Sequence, residues 1–329
     1  MARKRLVDAA LEDGLDTDIV IPPGCNSVMG PTKAGKSSFL NDLLGKPDVF
    51  KVGSKLASCT EVIASRAVNH APQEYTQLNR LLNGRRIVLV DTPGFDDTYM
   101  GDEEILSRIS EWLTRSYRKK MLVGGVLYLH DMSRDGFPGS LLRNLTLFTK
   151  LCGHDAMEQV AFVTTKWDRL RNTKEGDDRI AELSEDFWRE NIANGAQVFH
   201  VQPPNSNSRL SPLHMKPWKI IHQIVVAADT RDVEDRILQI QREIVDDQRF
   251  LPETEAGKEL RFTLAALLEK AKELKRRARE DARAGRPTES LEARQKEIDR
   301  IATQLKALRP PGLLTRAKRF FGLLGNVEP

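Results

Sequence analysis

Short apolar runs and stretches of helical spacing take turns over the first two thirds of the chain. Residues 25–29 (C-N-S-V-M) read as a buried strand, and Val62, Ala64, Ala67 and Val68 outline a second. Ile87-Val88-Leu89-Val90 is apolar throughout, as a central parallel strand would be, and similar runs follow at 123–129, 159–164 and 197–201. Helical spacing falls between them, at 38–44 (stopped by Gly45 and Pro47), 103–117, 141–151, 178–191 and 218–227. In 103–117 the residues Ile105, Ile109, Trp112 and Leu113 share one face. The alternation predicts an α/β domain over 25–228, preceded by an arm, 1–24, whose Asp16, Asp18, Pro22, Pro23 and Gly24 suggest loose attachment.

From Asp229 the pattern changes to charged helix formers with few aromatics, the mark of a separate α-helical extension over 229–309. Leu260, Leu264, Leu267, Ala271 and Leu274 repeat at fours and threes, as do Ile298, Ile301, Leu305 and Leu308, giving a coiled-coil seam. Residues 284–288 break the helix, with Thr288 as candidate N-cap. An antiparallel hairpin is the simplest arrangement, and pairing between chains is its rival. The basic cluster Lys270, Lys272, Lys275, Arg276, Arg277 and Arg279 is interleaved with Glu269, Glu273 and Glu280, which fits a solvated face. In the tail, 310–329, Leu313, Leu314, Ala317, Phe320, Phe321 and Leu324 share a face beside Arg316, Lys318 and Arg319. Such a helix over 313–324 lies on an anionic membrane surface, or docks on its own first domain or in a partner groove.

Composition narrows the choices. With Lys+Arg 51 against Asp+Glu 47 and a net charge of +4, the 329-residue surface is balanced, and no nucleic-acid partner is expected. The three cysteines, Cys25, Cys59 and Cys152, form no C-x-x-C pair, and the six histidines show no zinc spacing. Asp8, Glu12 and Asp13 interrupt any signal-peptide run, and no stretch reaches the ~18 apolar residues of a membrane span. A soluble, cytoplasmic protein is the expectation, with the tail as its one candidate for peripheral membrane contact.

The candidate chemistry begins at Gly30-Pro31-Thr32-Lys33-Ala34-Gly35-Lys36-Ser37, which fits G-x-x-x-x-G-K-[ST] between a strand and a helix. Backbone N–H groups of such a loop and the helix N-terminus cradle phosphate. Lys36 would reach the β- and γ-phosphates, and the Ser37 hydroxyl would hold Mg²⁺. Thr60, ahead of the second strand, either merely starts it or offers its hydroxyl to Mg²⁺ and its N–H to the γ-phosphate. Asp91-Thr92-Pro93-Gly94 ends the central strand: Asp91 would hold Mg²⁺ through water, and Gly94 would bring its N–H to the γ-phosphate. Thr165-Lys166-Trp167-Asp168 follows the fifth strand. Asp168 can accept from both N1–H and the exocyclic amine of guanine, a donor pair adenine lacks, while the Lys166 stem lies along the base. A last base contact is expected within 202–212, from Asn205, Ser206 or Ser208.

In this order, G-P-T-K-A-G-K-S, S-C-T, D-T-P-G and T-K-W-D resemble the G1 to G4 motifs of translation-factor-related GTPases. Within these the chain is most similar to the septin-like branch, which includes septins, GTPases of immunity-associated proteins and related fungal G-domain proteins. The resemblance implies a Ras-like three-layer G domain, a mixed but mostly parallel sheet with helices on both faces. It also implies Mg²⁺ with GTP or GDP, and nucleotide-dependent homodimers or higher oligomers. By position, Gly30, Thr32, Lys33, Ala34, Gly35, Lys36, Ser37 and Ser38 would hold phosphate, Ser37, Thr60 and Asp91 the metal, and Thr165, Lys166 and Asp168 the base.

Three departures matter. Thr165 replaces the usual asparagine, removing an amide that ties the base loop to the phosphate loop. Phe95 stands where Ras-like enzymes place a water-orienting glutamine, so intrinsic hydrolysis should be slow, on the order of 10⁻⁴ to 10⁻² per second without help from dimerisation or a partner. Lys33 takes the place of the internal arginine finger of guanylate-binding proteins; it either swings over the β–γ bridge or is a solvated lysine on the loop rim. Two functions compete: a slow GTPase switch or assembly module with an unknown effector protein, and a non-hydrolysing GTP- or GDP-bound scaffold. An ATPase is disfavoured by Asp168.

Overall fold

The computed structural model describes residues 19–21, 34–47, 49–50, 63–95, 100–201, 214–230, 236–284, 290–312 and 316. The expected strand at 25–29, the candidates Gly30, Thr32, Lys33, Thr60, Asn205, Ser206 and Ser208, and the tail segment 313–324 apart from Arg316 lie outside them.

Eight strands are described: β1 (Ile19–Ile21), β2 (Ala64–Val68), β3 (Ile87–Asp91), β4 (Leu122–Val123), β5 (Val126–Asp131), β6 (Val160–Thr165), β7 (Gln197–Val201) and β8 (His214–Met215). They pair in the orders β2-β3-β1-β4 and β5-β6-β7-β8, and the chain passes from one set to the other through Gly124-Gly125. Only β2 runs antiparallel to its neighbour, β3; the other pairs are parallel.

Period-two alternation divides the strand side chains between two cores. Val88, Val90, Val126, Tyr128, Val160 and Phe162 face one, and Ile87, Leu89, Leu127, Leu129, Ala161 and Val163 face the other. The second core is closed by α1 (Lys36–Leu44), α2 (Thr76–Leu82) and α7 (Pro217–Asp229), where Trp218 Nε1 donates to the Leu43 carbonyl at 2.8 Å. The first is covered by α3 (Asp102–Arg118) and α4 (Gly139–Cys152). This is the expected three-layer, mostly parallel, Ras-like architecture.

Between α4 and α7 lie α5 (Thr173–Glu182) and α6 (Arg189–Ala193); α8 (Gln239–Gln241), α9 (Glu255–Arg283) and α10 (Leu291–Ala307) complete the chain. The helical region is not remote from the sheet. Leu260, Leu264, Ala271, Ile301 and Leu308 join the core that holds Phe95, Ile105 and Phe148. α9 and α10 pack on each other, with Lys275 donating to Gln295 across the fold-back. Three members of the basic cluster on α9 pair with neighbours one turn away: Lys272 with Glu269, Arg276 with Glu273 and Glu280, and Arg277 with Glu273.

Four expectations need correction. The arm 1–24 contains β1, because Ile19-Val20-Ile21 is a β-branched run whose strand-forming tendency outweighs Pro22 and Pro23. Seven-residue α2 was not anticipated, being too short for a helical period to show. The helix expected over 178–191 starts earlier and is interrupted. Asn172 caps it by accepting from Glu175 N–H at 2.9 Å, and a π turn, Leu183–Phe187, separates α5 from α6. The N-cap of α10 is Ser290, which accepts from Ala293 N–H, rather than Thr288, which lies outside the described residues.

Gly125 leaves room for α7, since a Cβ there would collide with Ile224 Cγ2. Gly125→Ala should destabilise the fold by about 1–3 kcal/mol through overpacking. Pairing it with Ile224→Ala, which removes the obstructing methyl, should recover part of the loss. Urea midpoints of the two single variants and the double variant test this, and purely additive losses would contradict it.

Candidate functional site

The phosphate side is built on the start of α1. Gly35 is its N-cap with φ of 89°, a left-handed conformation that glycine adopts without strain, and Phe39 N–H closes the first turn on the Gly35 carbonyl at 2.8 Å. The N–H groups of the first turn have no partner further back in the helix, so they and the positive dipole end face the preceding loop. Lys36 and Ser37 are buried, Ala34 is fully buried, and Ser38 is exposed. The Ser37 hydroxyl donates to Asp91 Oδ2 at 3.0 Å, so the predicted hydroxyl and carboxylate meet although 54 positions separate them. Asp91 ends β3 at 2 % exposure, and Gly94 is buried just beyond it.

The base side is built on the end of β6. Thr165 Oγ1 donates to the Ala34 carbonyl at 2.7 Å and lies 3.2 Å from the His130 carbonyl, while Met132 N–H donates to the Thr165 carbonyl at 3.1 Å. The asparagine amide is absent, as expected, and the Thr165 hydroxyl makes a tie to the phosphate loop in its place. Lys166 adopts a left-handed conformation, φ 60°, and its ammonium donates to Asp131 Oδ2 at 2.6 Å. Trp167 is wedged under the loop, donating to Thr164 Oγ1 at 2.9 Å and packing edge-on against His200 and His214. Asp168 follows in the same turn and is exposed.

Three contributors escaped sequence reasoning. Asp131 accepts from Ser133 N–H at 2.9 Å and Ser133 Oγ at 2.6 Å besides Lys166. Arg179 of α5 donates to the carbonyls of Met132 at 2.5 Å and Arg134 at 2.7 Å. The signal for Asp131 was present, since it is an acidic residue at the carboxyl end of a buried apolar strand, the criterion that identified Asp91. Nothing in spacing marks Arg179.

The donor set suits Mg²⁺. The Ser37 hydroxyl and the Asp91 carboxylate are hard oxygen donors at one point, one suited to direct ligation and the other to holding the ion through water. Among the described residues no group of three His, Cys, Asp or Glu could hold a metal by itself. No described helix is long and apolar enough to cross a membrane. Phe95 is fully buried in the core and presents no polar atom to a water.

Residues 26–141 match the family described as 50S ribosome-binding GTPase. No curated protein matches the chain. Among solved structures the chain is similar to Toc33 from Arabidopsis thaliana in complex with Mg²⁺ and GMPPNP, at 16% identity and a TM-score of 0.43, covering 67% of this chain and 88% of that one. It is also similar to Toc33 with GDP and Mg²⁺, at 15% identity and a TM-score of 0.44, covering 69% and 88%. The family match, which spans the phosphate loop, Thr60 and Asp91 to Gly94, makes this part of the chain a P-loop GTPase G domain. As a GTPase domain this part takes guanine nucleotide, and Mg²⁺ is the expected companion.

Electrostatics around the base loop follow from burial. Burial pushes the Asp131 carboxyl up, but hydrogen bonds from Lys166 and Ser133 outweigh it and hold the group below its ordinary value. His130, stacked on Phe137 and edge-on to Trp188, is lowered to about 4 by burial, with Arg134 and Arg179 adding to the effect and Asp131 opposing it. His200 is lowered to about 4 by burial and by His214.

Two expectations follow. Thr165→Val should cost about 1–3 kcal/mol by leaving the Ala34 carbonyl without its donor, and Thr165→Ser should retain most of the stability. Thermal unfolding of the two variants decides it, and equal losses would mean the hydroxyl is unimportant. Both histidines stay neutral in the fold at pH values where the unfolded chain protonates them, between 6.5 and about 4. The unfolded state binds more protons there, so stability falls as pH drops through that window, by on the order of 3 kcal/mol for His130 and less for the more exposed His200. His130→Phe, which keeps the ring stack, should flatten the denaturant-midpoint profile between these pH values, and an unchanged slope would count against it.

Proposed function

We propose that this chain is a GTP-binding protein of the septin-like branch that hydrolyses GTP slowly and acts as a nucleotide-dependent switch or assembly module. The observation that carries the reading is the Ser37–Asp91 hydrogen bond, which sets the phosphate-loop hydroxyl and the D-T-P-G carboxylate at one buried point at the head of α1. Ser37, Thr60 and, through water, Asp91 would hold Mg²⁺, which would supply positive charge beside the phosphate oxygens. Lys36 faces the β- and γ-phosphates and stabilises charge as the terminal phosphate leaves. Thr60 and the Gly94 N–H sense the γ-phosphate, and Asp168 selects guanine. Water attacks the γ-phosphate, and Lys33 supplies further positive charge when a second copy covers the site.

A route from the site to the helical region supports the switch reading. Arg300 of α10 donates to the Met100 carbonyl at 3.0 Å, and a Cβ on Gly101 would lie 2.8 Å from Gln304 Cδ. Met100 and Gly101, at the head of α3, therefore rest against α10. In this reading the protein works in the cytoplasm as a homodimer or larger oligomer with an effector protein, and residues 313–324 make contact with a membrane surface or with the G domain.

A second reading, a scaffold that keeps its nucleotide, is favoured by Phe95, whose burial at 0 % exposure leaves that position without a water-orienting side chain. GTP turnover measured across a range of protein concentrations, with ATP as control, separates the two. Specific activity that rises with concentration and is lowered by Lys33→Ala is the expected result. Bound nucleotide with no turnover at any concentration would favour the scaffold, and equal use of ATP would overturn the guanine assignment.

A further inference from the structure

The base loop is held by a charge that no motif contains. Asp131 stands at the carboxyl end of β5, level with Thr165 on the neighbouring strand. Its carboxylate takes the Lys166 ammonium at 2.6 Å, with side-chain exposures of 6 % for the aspartate and 17 % for the lysine. At that burial the pair is weakly screened, and removing one partner leaves the other charge uncompensated. The loop that carries Asp131 is itself fixed: Ser133 donates to the same carboxylate through N–H and hydroxyl, and Arg179 grips the carbonyls on either side of Ser133.

Lysine has a flexible four-carbon stem, and an ammonium left in solvent would sample many rotamers. With its head anchored on Asp131 and its backbone in the left-handed region, Lys166 has its stem fixed at both ends. A methylene stem so fixed is a flat apolar surface that can cover one face of a purine ring while its charge is neutralised elsewhere.

We infer that Asp131 is a positioning residue for nucleotide binding: it holds Lys166 extended so that the lysine stem covers the base, and Arg179 holds the loop that carries Asp131. The inference rests on the guanine-nucleotide reading of the site. Asp131 touches no substrate and acts only through Lys166.

Because the base is common to both nucleotides, Asp131→Asn should weaken GTP and GDP binding by the same factor, about tenfold, the size expected for a lost charged hydrogen bond. A cycle with Lys166→Met tests whether the effect passes through the lysine. The full chain is titrated with fluorescent GTP and GDP at fixed Mg²⁺. Lys166→Met and the double variant Asp131→Asn/Lys166→Met should bind alike, a comparison that stands even if Asp131→Asn alone folds poorly. A further loss in the double variant, or a loss confined to GTP, would overturn the inference. Wild-type chain that binds no guanine nucleotide would instead overturn the reading of the site. Wild-type binding matched by Asp131→Asn would overturn only the role of Asp131.

Discussion

One hydroxyl joins the two halves of the site. Thr165 sits at the end of β6, where its Oγ1 lies within hydrogen-bond distance of the Ala34 carbonyl on the phosphate loop and the His130 carbonyl on β5. A hydroxyl has one proton to donate, so the 2.7 Å bond to Ala34 is the principal one and the 3.2 Å contact is secondary. The carbonyl of the same residue accepts from Met132 N–H. Three segments distant in sequence are thereby fixed to one another within a single residue. The shorter threonine side chain makes the link with a hydroxyl, and its β-branch suits the strand that presents it.

The G domain and the helical region share more than a connection. Leu260 and Leu264 of α9 and Ile301 of α10 are buried in the core that holds Phe95, the residue after the D-T-P-G motif. Arg300 and Gln304 meet Met100 and Gly101, at the head of α3. Helices that looked from their composition like an independent module thus complete one face of the sheet. Their intrahelical ion pairs, exposed and worth little each, keep the outer face soluble, while the buried leucines contribute the stability.

Much of this was legible in the sequence because it depends on local pattern. Strand–helix alternation predicted the layers, and the order of G-P-T-K-A-G-K-S, D-T-P-G and T-K-W-D marked the candidate phosphate, metal and base positions. Ser37 and Asp91 meet as their motifs require. What stayed hidden depends on tertiary approach. The Thr165 tie, the Asp131–Lys166 pair and the Arg179 clamp each join residues 35 to 131 positions apart, and a side chain's partner at that distance leaves no periodic trace. β1 was hidden for another reason: three residues are too few to show alternation, and the adjacent prolines drew the weight.

The position of Phe95 limits how the site can change state. Gly94 can reach or leave a γ-phosphate only if the backbone there moves, yet the next residue is fully buried, and Met100 is buried at 8 % exposure a few residues on. Withdrawing a phenylalanine from the core costs about 1.5–3 kcal/mol of transfer free energy. A backbone hydrogen bond to a charged phosphate contributes about 1.5–3 kcal/mol, the same size. Neither term dominates, so a movement that exchanges one for the other lies near balance, and a small bias from outside the motif decides it. α10 is placed to supply such a bias, because it grips the far end of the same segment through the Met100 carbonyl. A phenylalanine in place of a water-orienting glutamine then has a positive consequence in the proposed switch: it ties Gly94, the proposed γ-phosphate sensor, to the core on which α9 and α10 rest.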